Sequence, residues 1–172
     1  GHNMMIYEVD IEQFTISALF DLKGAAKELS ARIGGSFSEI PEQPNTRVIS
    51  GSRCICCLGP KNWIVWDSAK QPDALSAELK SDTASPAISI VDISDSLTFF
   101  RINGPDANQI MSIACPLDIH FDAFKENSAS YSEFFGTKAL ITRTESGFEI
   151  AVDQSNSVMI IDHLNRTSHN VI

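Results

Sequence analysis

Basic residues are scarce in this chain: 13 Lys and Arg stand against 22 Asp and Glu, a formal net charge of −9 at pH 7. A nucleic-acid binder needs a basic face to displace counterions from phosphate, so the shortage argues against a nucleic-acid partner. No run of eighteen apolar residues is present to span a bilayer, and the first residues carry neither a basic region nor an apolar stretch of signal-peptide length. A soluble cytoplasmic protein with no membrane partner is the expectation. There is no Gly-x-Gly-x-x-Gly and no Gly-x4-Gly-Lys-Ser/Thr loop, so no motif marks a dinucleotide or nucleoside triphosphate cradle. Low-complexity and proline-rich runs are also missing, which argues against disorder beyond the ends.

Cysteine is limited to four, three of them packed as Cys54-x-Cys56-Cys57. This is neither a secreted disulfide frame nor a Cys-x-x-Cys zinc knuckle. In an extended strand Cys54 and Cys56 point to one face and Cys57 to the other, so three reduced core thiols are expected, the alternative being a metal or redox site.

What is present is apolar: 43% of 172 residues are hydrophobic, enough for one well-filled core. A single domain over residues 4–172 is expected, with residues 1–3 an expression scar ahead of Met4-Met5. Residues 14–20 alternate, with Phe14, Ile16 and Ala18 on one side, as in a half-buried strand. Leu22, Ala25, Ala26, Leu29 and Ile33 then fall on one helical stripe that Gly34-Gly35 should end through a left-handed residue. A polar loop through Pro41 and Pro44 leads to two apolar runs, 54–58 and 62–66, separated by Gly59-Pro60-Lys61 as in a tight hairpin.

Pro72 suits the first turn of a short helix carrying Ala74, Leu75 and Leu79. Strands are expected at 88–91 and 97–102, then a helix from Gly104-Pro105 with Ala107, Ile110, Met111 and Ala114 inward, stopped by Pro116. A hairpin at 139–143 and 148–152 precedes a last helix over about 156–164 and a loose tail. Strands in pairs between helices favour an α+β fold, with helices covering antiparallel sheets, over a parallel doubly wound one.

Two passages carry a resemblance. Val91-Asp92-Ile93-Ser94-Asp95, followed by Ile102-x-Gly104-x-Asp106-Ala107 and Cys115-Pro116-Leu117-Asp118, resembles the signature of the folate-binding aminomethyltransferase (glycine-cleavage T-protein-like) superfamily over residues 87–164. Leu58-Gly59-Pro60-Lys61-Asn62-Trp63, with Gly136-Thr137-Lys138, is similar to the gamma-subunit family of heterotetrameric sarcosine oxidase. The resemblance implies two intertwined antiparallel-sheet-plus-helix halves, like the folate-binding domain of aminomethyltransferases. It implies a place in an oxidoreductase complex of one-carbon metabolism that acts on the CH-NH group of sarcosine, giving glycine, hydrogen peroxide and methylene-tetrahydrofolate. FAD, FMN, NAD, zinc and tetrahydrofolate would then be held by the flavin-bearing and folate-binding partner subunits, and none by this chain.

The T-protein precedes its last strands with a Gly-Gly-x-x-Asp-Asp element whose carboxylate assists transfer. Here Leu140 and Ile141 stand in that region and can move no proton. The C-terminal domain that helps enclose folate in long family members is absent from this sequence, and so is the Lys-Gly-Cys and Gly-Gln-Glu pattern of the folate-binding iron-sulfur assembly proteins. A non-catalytic assembly subunit is therefore expected, with no catalytic, cofactor-binding or metal residues, and a stand-alone folate-binding aminomethyltransferase-like protein is the alternative.

Other residues are read structurally. Asp92 and Asp95 can pair as acid and base, but Asp and Ser at a strand end more often satisfy turn amides. Ser94 lacks a base to activate it. Asp118-x-His120-x-Asp122 has the donors of a metal cluster, against the simpler reading of a solvated loop. Trp63 and Trp66 lie on opposite strand faces, one expected in the core and one facing a partner. An assembly subunit should also expose an apolar patch.

Overall fold

A computed structural model describes residues 6–71, 73–80 and 86–168. In chain order these form β1 (Asp10–Thr15), β2 (Ala18–Lys23), α1 (Ala26–Ile33), β3 (Thr46–Ser50), β4 (Arg53–Gly59), β5 (Asn62–Asp67) and α2 (Asp73–Leu79). Then follow β6 (Ser89–Asp92), β7 (Leu97–Asn103), α3 (Ala107–Ala114), β8 (Ala129–Phe134), β9 (Thr137–Arg143), β10 (Gly147–Asp153), a 3-10 turn (Gln154–Asn156) and α4 (Ser157–Thr167). The fold is α+β, with two antiparallel five-stranded sheets and four helices among the described residues, as expected.

The second run of elements, β6 to α4, repeats the first, β1 to α2, type for type. The sheets run β3-β4-β5-β2-β6 and β1-β7-β10-β9-β8, so they share one order, except that each run's first strand pairs in the other run's sheet. That exchange is what intertwined halves mean here, and it places the unit boundaries at Thr15/Ile16 and Ser96/Leu97.

In the unit of residues 16–96, one sheet face packs Phe20, Leu22, Trp63 and Val65 against Leu29 and Ile33 of α1 and Leu75 of α2. Burial of each such side chain stabilises the fold by about 1.5–3 kcal/mol. The opposite face is closed as well: Leu19, Cys54, Cys56 and Ile64 are buried and Trp66 is only 5% exposed. Strands covered on both faces read as unbroken apolar runs, which is how 54–58 and 63–66 appear in the sequence. Both tryptophans are therefore buried, where one of the two was expected to face a partner.

In the unit containing β1 and residues 97–168, Phe100, Ile102, Phe148 and Ile150 pack on Ile110 and Met111 of α3 and Ile160 of α4. Gly147 is required by close approach, since a Cβ there would lie 1.9 Å from the Ile102 carbonyl oxygen. Gly104, at φ +128°, turns the chain from β7 toward α3.

Several boundaries differ from expectation. Residues 14–20 hold parts of two strands in different sheets: Phe14 registers with Phe99, whereas Leu19 registers with Trp66. Alternation reports local burial and not the identity of the partner, so it runs through the crossing unchanged. Leu22 sits in β2 and not on α1, because position i−4 from Ala26 satisfies a strand period equally well. Gly34 is right-handed at φ −60° and closes α1 by donating its N–H to the Ser30 carbonyl, with no left-handed cap.

The edge strands β3 and β8 were not foreseen; their sequences, TRVIS and ASYSEF, are half polar, as edges that must resist further pairing tend to be. The hairpins and the helices α2, α3 and α4 lie where expected, α4 running on to Thr167. Pro72, residues 1–5 and the last four residues lie outside the described residues. No helix among the described residues is long and apolar enough to cross a membrane.

Candidate functional site

The signature hairpin β4–β5 turns through Pro60-Lys61, with Gly59 opposite Asn62. Its residues are consumed by structure. The Gly24 N–H donates to the Lys61 carbonyl at 3.1 Å and the Asn45 N–H to the Cys57 carbonyl at 2.7 Å. Trp63 Nε1 donates to the Pro41 carbonyl at 3.0 Å, so the proline loop is pinned on the hairpin. Nearby, Arg53 joins three elements: its guanidinium reaches Glu78 at 2.7 Å, Asp67 at 3.4 Å and the Ser36 carbonyl at 2.8 Å. The hydrogen bond from Arg53 holds the Glu78 carboxyl below its ordinary range.

The superfamily turn behaves in the same way. Ser94 Oγ accepts from the Leu19 N–H at 3.0 Å and donates to its carbonyl at 3.3 Å, while Asp92 accepts the Ser94 N–H at 2.9 Å. Lys80 pairs with Asp92 at 2.9 Å. Hydrogen bonding from Ser94, then from Lys80, lowers the Asp92 carboxyl to about 2, which suits a permanent anion and not a proton carrier at neutral pH. Asp95 is left-handed at φ +61° and gives its N–H to the Ile16 carbonyl. Asp92, Ser94 and Asp95 thus close the end of a strand.

All four cysteines are buried and none forms a disulfide. Cys54 and Cys56 share a face with their sulfurs 3.9 Å apart, and Cys57 lies in the opposite, helix-covered core with its thiol pushed up by burial. Leu140 and Ile141 are 2% and 0% exposed in β9, so both lie in the apolar interior.

The chemistry that the sequence reading missed lies beside α3. Inward alternation along β9 (Ala139, Ile141, Arg143) puts a charged residue on the core face, the one signal that could have found it. Arg143 is 9% exposed. Its Nε donates to the Phe124 carbonyl and its Nη2 to the Ile119 carbonyl. The guanidinium carbon lies 4.6 Å from the Phe148 ring centre and 5.7 Å from that of Phe121. It forms part of the wall of a cavity of about 640 Å³ that also takes in Asp118 and His120 but not Asp122. Asp118 accepts the His120 N–H at 3.0 Å, and the His120 carbonyl accepts from Ala123 and Phe124, which makes a hydrogen-bonded turn of this loop. Among the described residues no group of three or more His, Cys, Asp or Glu side chains is placed to hold a metal ion.

Solved structures with the same fold include the following two. A chain of heterotetrameric sarcosine oxidase from Corynebacterium sp. U-96 superposes with a TM-score of 0.75 at 18% identity, over 98% of this chain and 91% of that one. Glycine cleavage system aminomethyltransferase T from Bartonella henselae gives 0.61 at 16% identity, over 95% of this chain and 47% of that one. This chain therefore spans about half the length of the aminomethyltransferase. No curated protein sequence matches. The GCVT N-terminal domain family matches residues 48–171, and the chain belongs to that family.

Proposed function

We propose that this chain is a non-catalytic gamma-type assembly subunit of a cytoplasmic heterotetrameric sarcosine oxidase complex. The observation that carries this reading is the end-to-end correspondence with a sarcosine oxidase chain, 98% of one against 91% of the other, whereas only 47% of the aminomethyltransferase is matched. The apolar interior at Leu140 and Ile141, and the commitment of Asp92 and Ser94 to backbone amides, support it. In this reading the partner subunits hold FAD, FMN, NAD, zinc and tetrahydrofolate and demethylate sarcosine, and this chain braces them.

Co-expression with flavin-bearing sarcosine oxidase subunits tests it: a stable complex by size exclusion with the flavin absorbance co-eluting is expected. Failure to co-purify sinks the reading. The alternative, a stand-alone folate-binding aminomethyltransferase-like protein, draws support from the family match itself. Saturable binding of a reduced-folate analogue to the isolated chain is its distinguishing result.

A further inference from the structure

We propose that the cavity beside α3 binds a small organic monocarboxylate with a flat apolar body. This site is independent of the assembly role. Its volume, about 640 Å³, lies within the range of small-molecule sites. Its wall contains a cation that is more than nine-tenths buried and already fixed in orientation: two loop carbonyls accept from Arg143, and its guanidinium carbon lies over the Phe148 and Phe121 rings. A clamped guanidinium has little rotamer freedom left to lose when an anion arrives, and its charge is felt more strongly away from bulk water.

The remaining wall sets the rest of the ligand. Leu117, Ile119 and Phe121 are apolar, and Phe121 is 62% exposed, an aromatic plate left uncovered on a loop otherwise tied down by hydrogen bonds. Anchoring the loop accounts for the bonds from Arg143 to Phe124 and Ile119 but not for that bare ring. Asn108 is in the same wall and carries an amide able to donate to a carboxylate oxygen. Asp118 supplies the limit: its exposed carboxylate in the same wall repels a second negative charge, so the ligand carries one.

The test is calorimetric titration of the full chain with 3-phenylpropionate, its amide, and the dianion benzylmalonate. Saturable one-to-one binding of 3-phenylpropionate is expected, with the amide weaker by about tenfold or more, since it loses the charge-assisted hydrogen bond to the guanidinium. Benzylmalonate should also bind more weakly, and Asp118→Asn should narrow that gap while keeping the turn, because an amide oxygen can still accept the His120 N–H. Phe121→Ser should weaken 3-phenylpropionate about tenfold with an unchanged circular dichroism spectrum. Absence of saturation, equal affinity for acid and amide, a dianion bound as tightly as the monoanion, or indifference to Phe121→Ser would each overturn the proposal.

Discussion

Trp63 donates its indole N–H to the carbonyl of Pro41, 22 residues earlier, at 3.0 Å. The indole is fully buried, so this bond is made without competition from water and fixes the proline loop on the signature hairpin. Trp63→Phe keeps an aromatic ring but strands the Pro41 carbonyl and leaves a small void. A loss of about 1–3 kcal/mol is expected in urea denaturation, and Trp63→Ala should cost about 3–5 kcal/mol. A Phe variant as stable as the parent would remove this bond from the account of the fold.

Arg53 ties β4 to Asp67 of β5 and to Glu78 of α2. Removing it leaves Asp67, whose side chain is 7% exposed, without its cationic partner. Arg53→Ala is expected to lower stability by about 1–3 kcal/mol. A double-mutant cycle with Glu78→Ala should show coupling, and strict additivity of the two changes would argue that the pair is idle.

The depressed Asp92 carboxyl has a signed consequence. Its folded value, about 2, lies below the ordinary 3.8, so its contribution is fully present above about pH 4 and is lost as pH falls toward 2. The side chain is 39% exposed, and solvent screening keeps that contribution below about 1 kcal/mol. Thermal melts between pH 5 and 2 should show a shallower acid loss for Asp92→Asn than for the parent; parallel curves would contradict the assignment.

Gly147→Ala should be among the most damaging single-methyl changes in the chain. The added Cβ would sit 1.9 Å from a backbone oxygen of β7, which has no side-chain freedom with which to yield. A loss of roughly 3 kcal/mol or more, or insoluble expression, is expected. Wild-type melting of this variant would mean that the two strands separate there at little cost.

Four buried thiols outside any disulfide should react with a chromogenic disulfide reagent far more slowly in the native protein than in denaturant, because burial blocks access. Rapid native labelling of Cys54, Cys56 and Cys57 would revive a redox or metal role for them.

The class of fold and most of its elements are legible in the local pattern of residues. Unbroken apolar runs made the β4–β5 strands visible, a four-residue stripe made α3 visible, and the turn residues Pro60-Lys61 marked a hairpin, because these signals are local. The sequence also reached the family through short motifs whose residues satisfy backbone groups, as Asp92 and Ser94 do. Only the tertiary structure decided that Phe14 and Leu19 serve different sheets, that both tryptophans are buried, and that Arg143 closes on a loop 19 to 24 residues before it. The reason is physical: period-2 alternation records that one side of a strand is covered but not what covers it. A cation on an inward position reads as an error until the carbonyls and rings that receive it have been brought together by the fold.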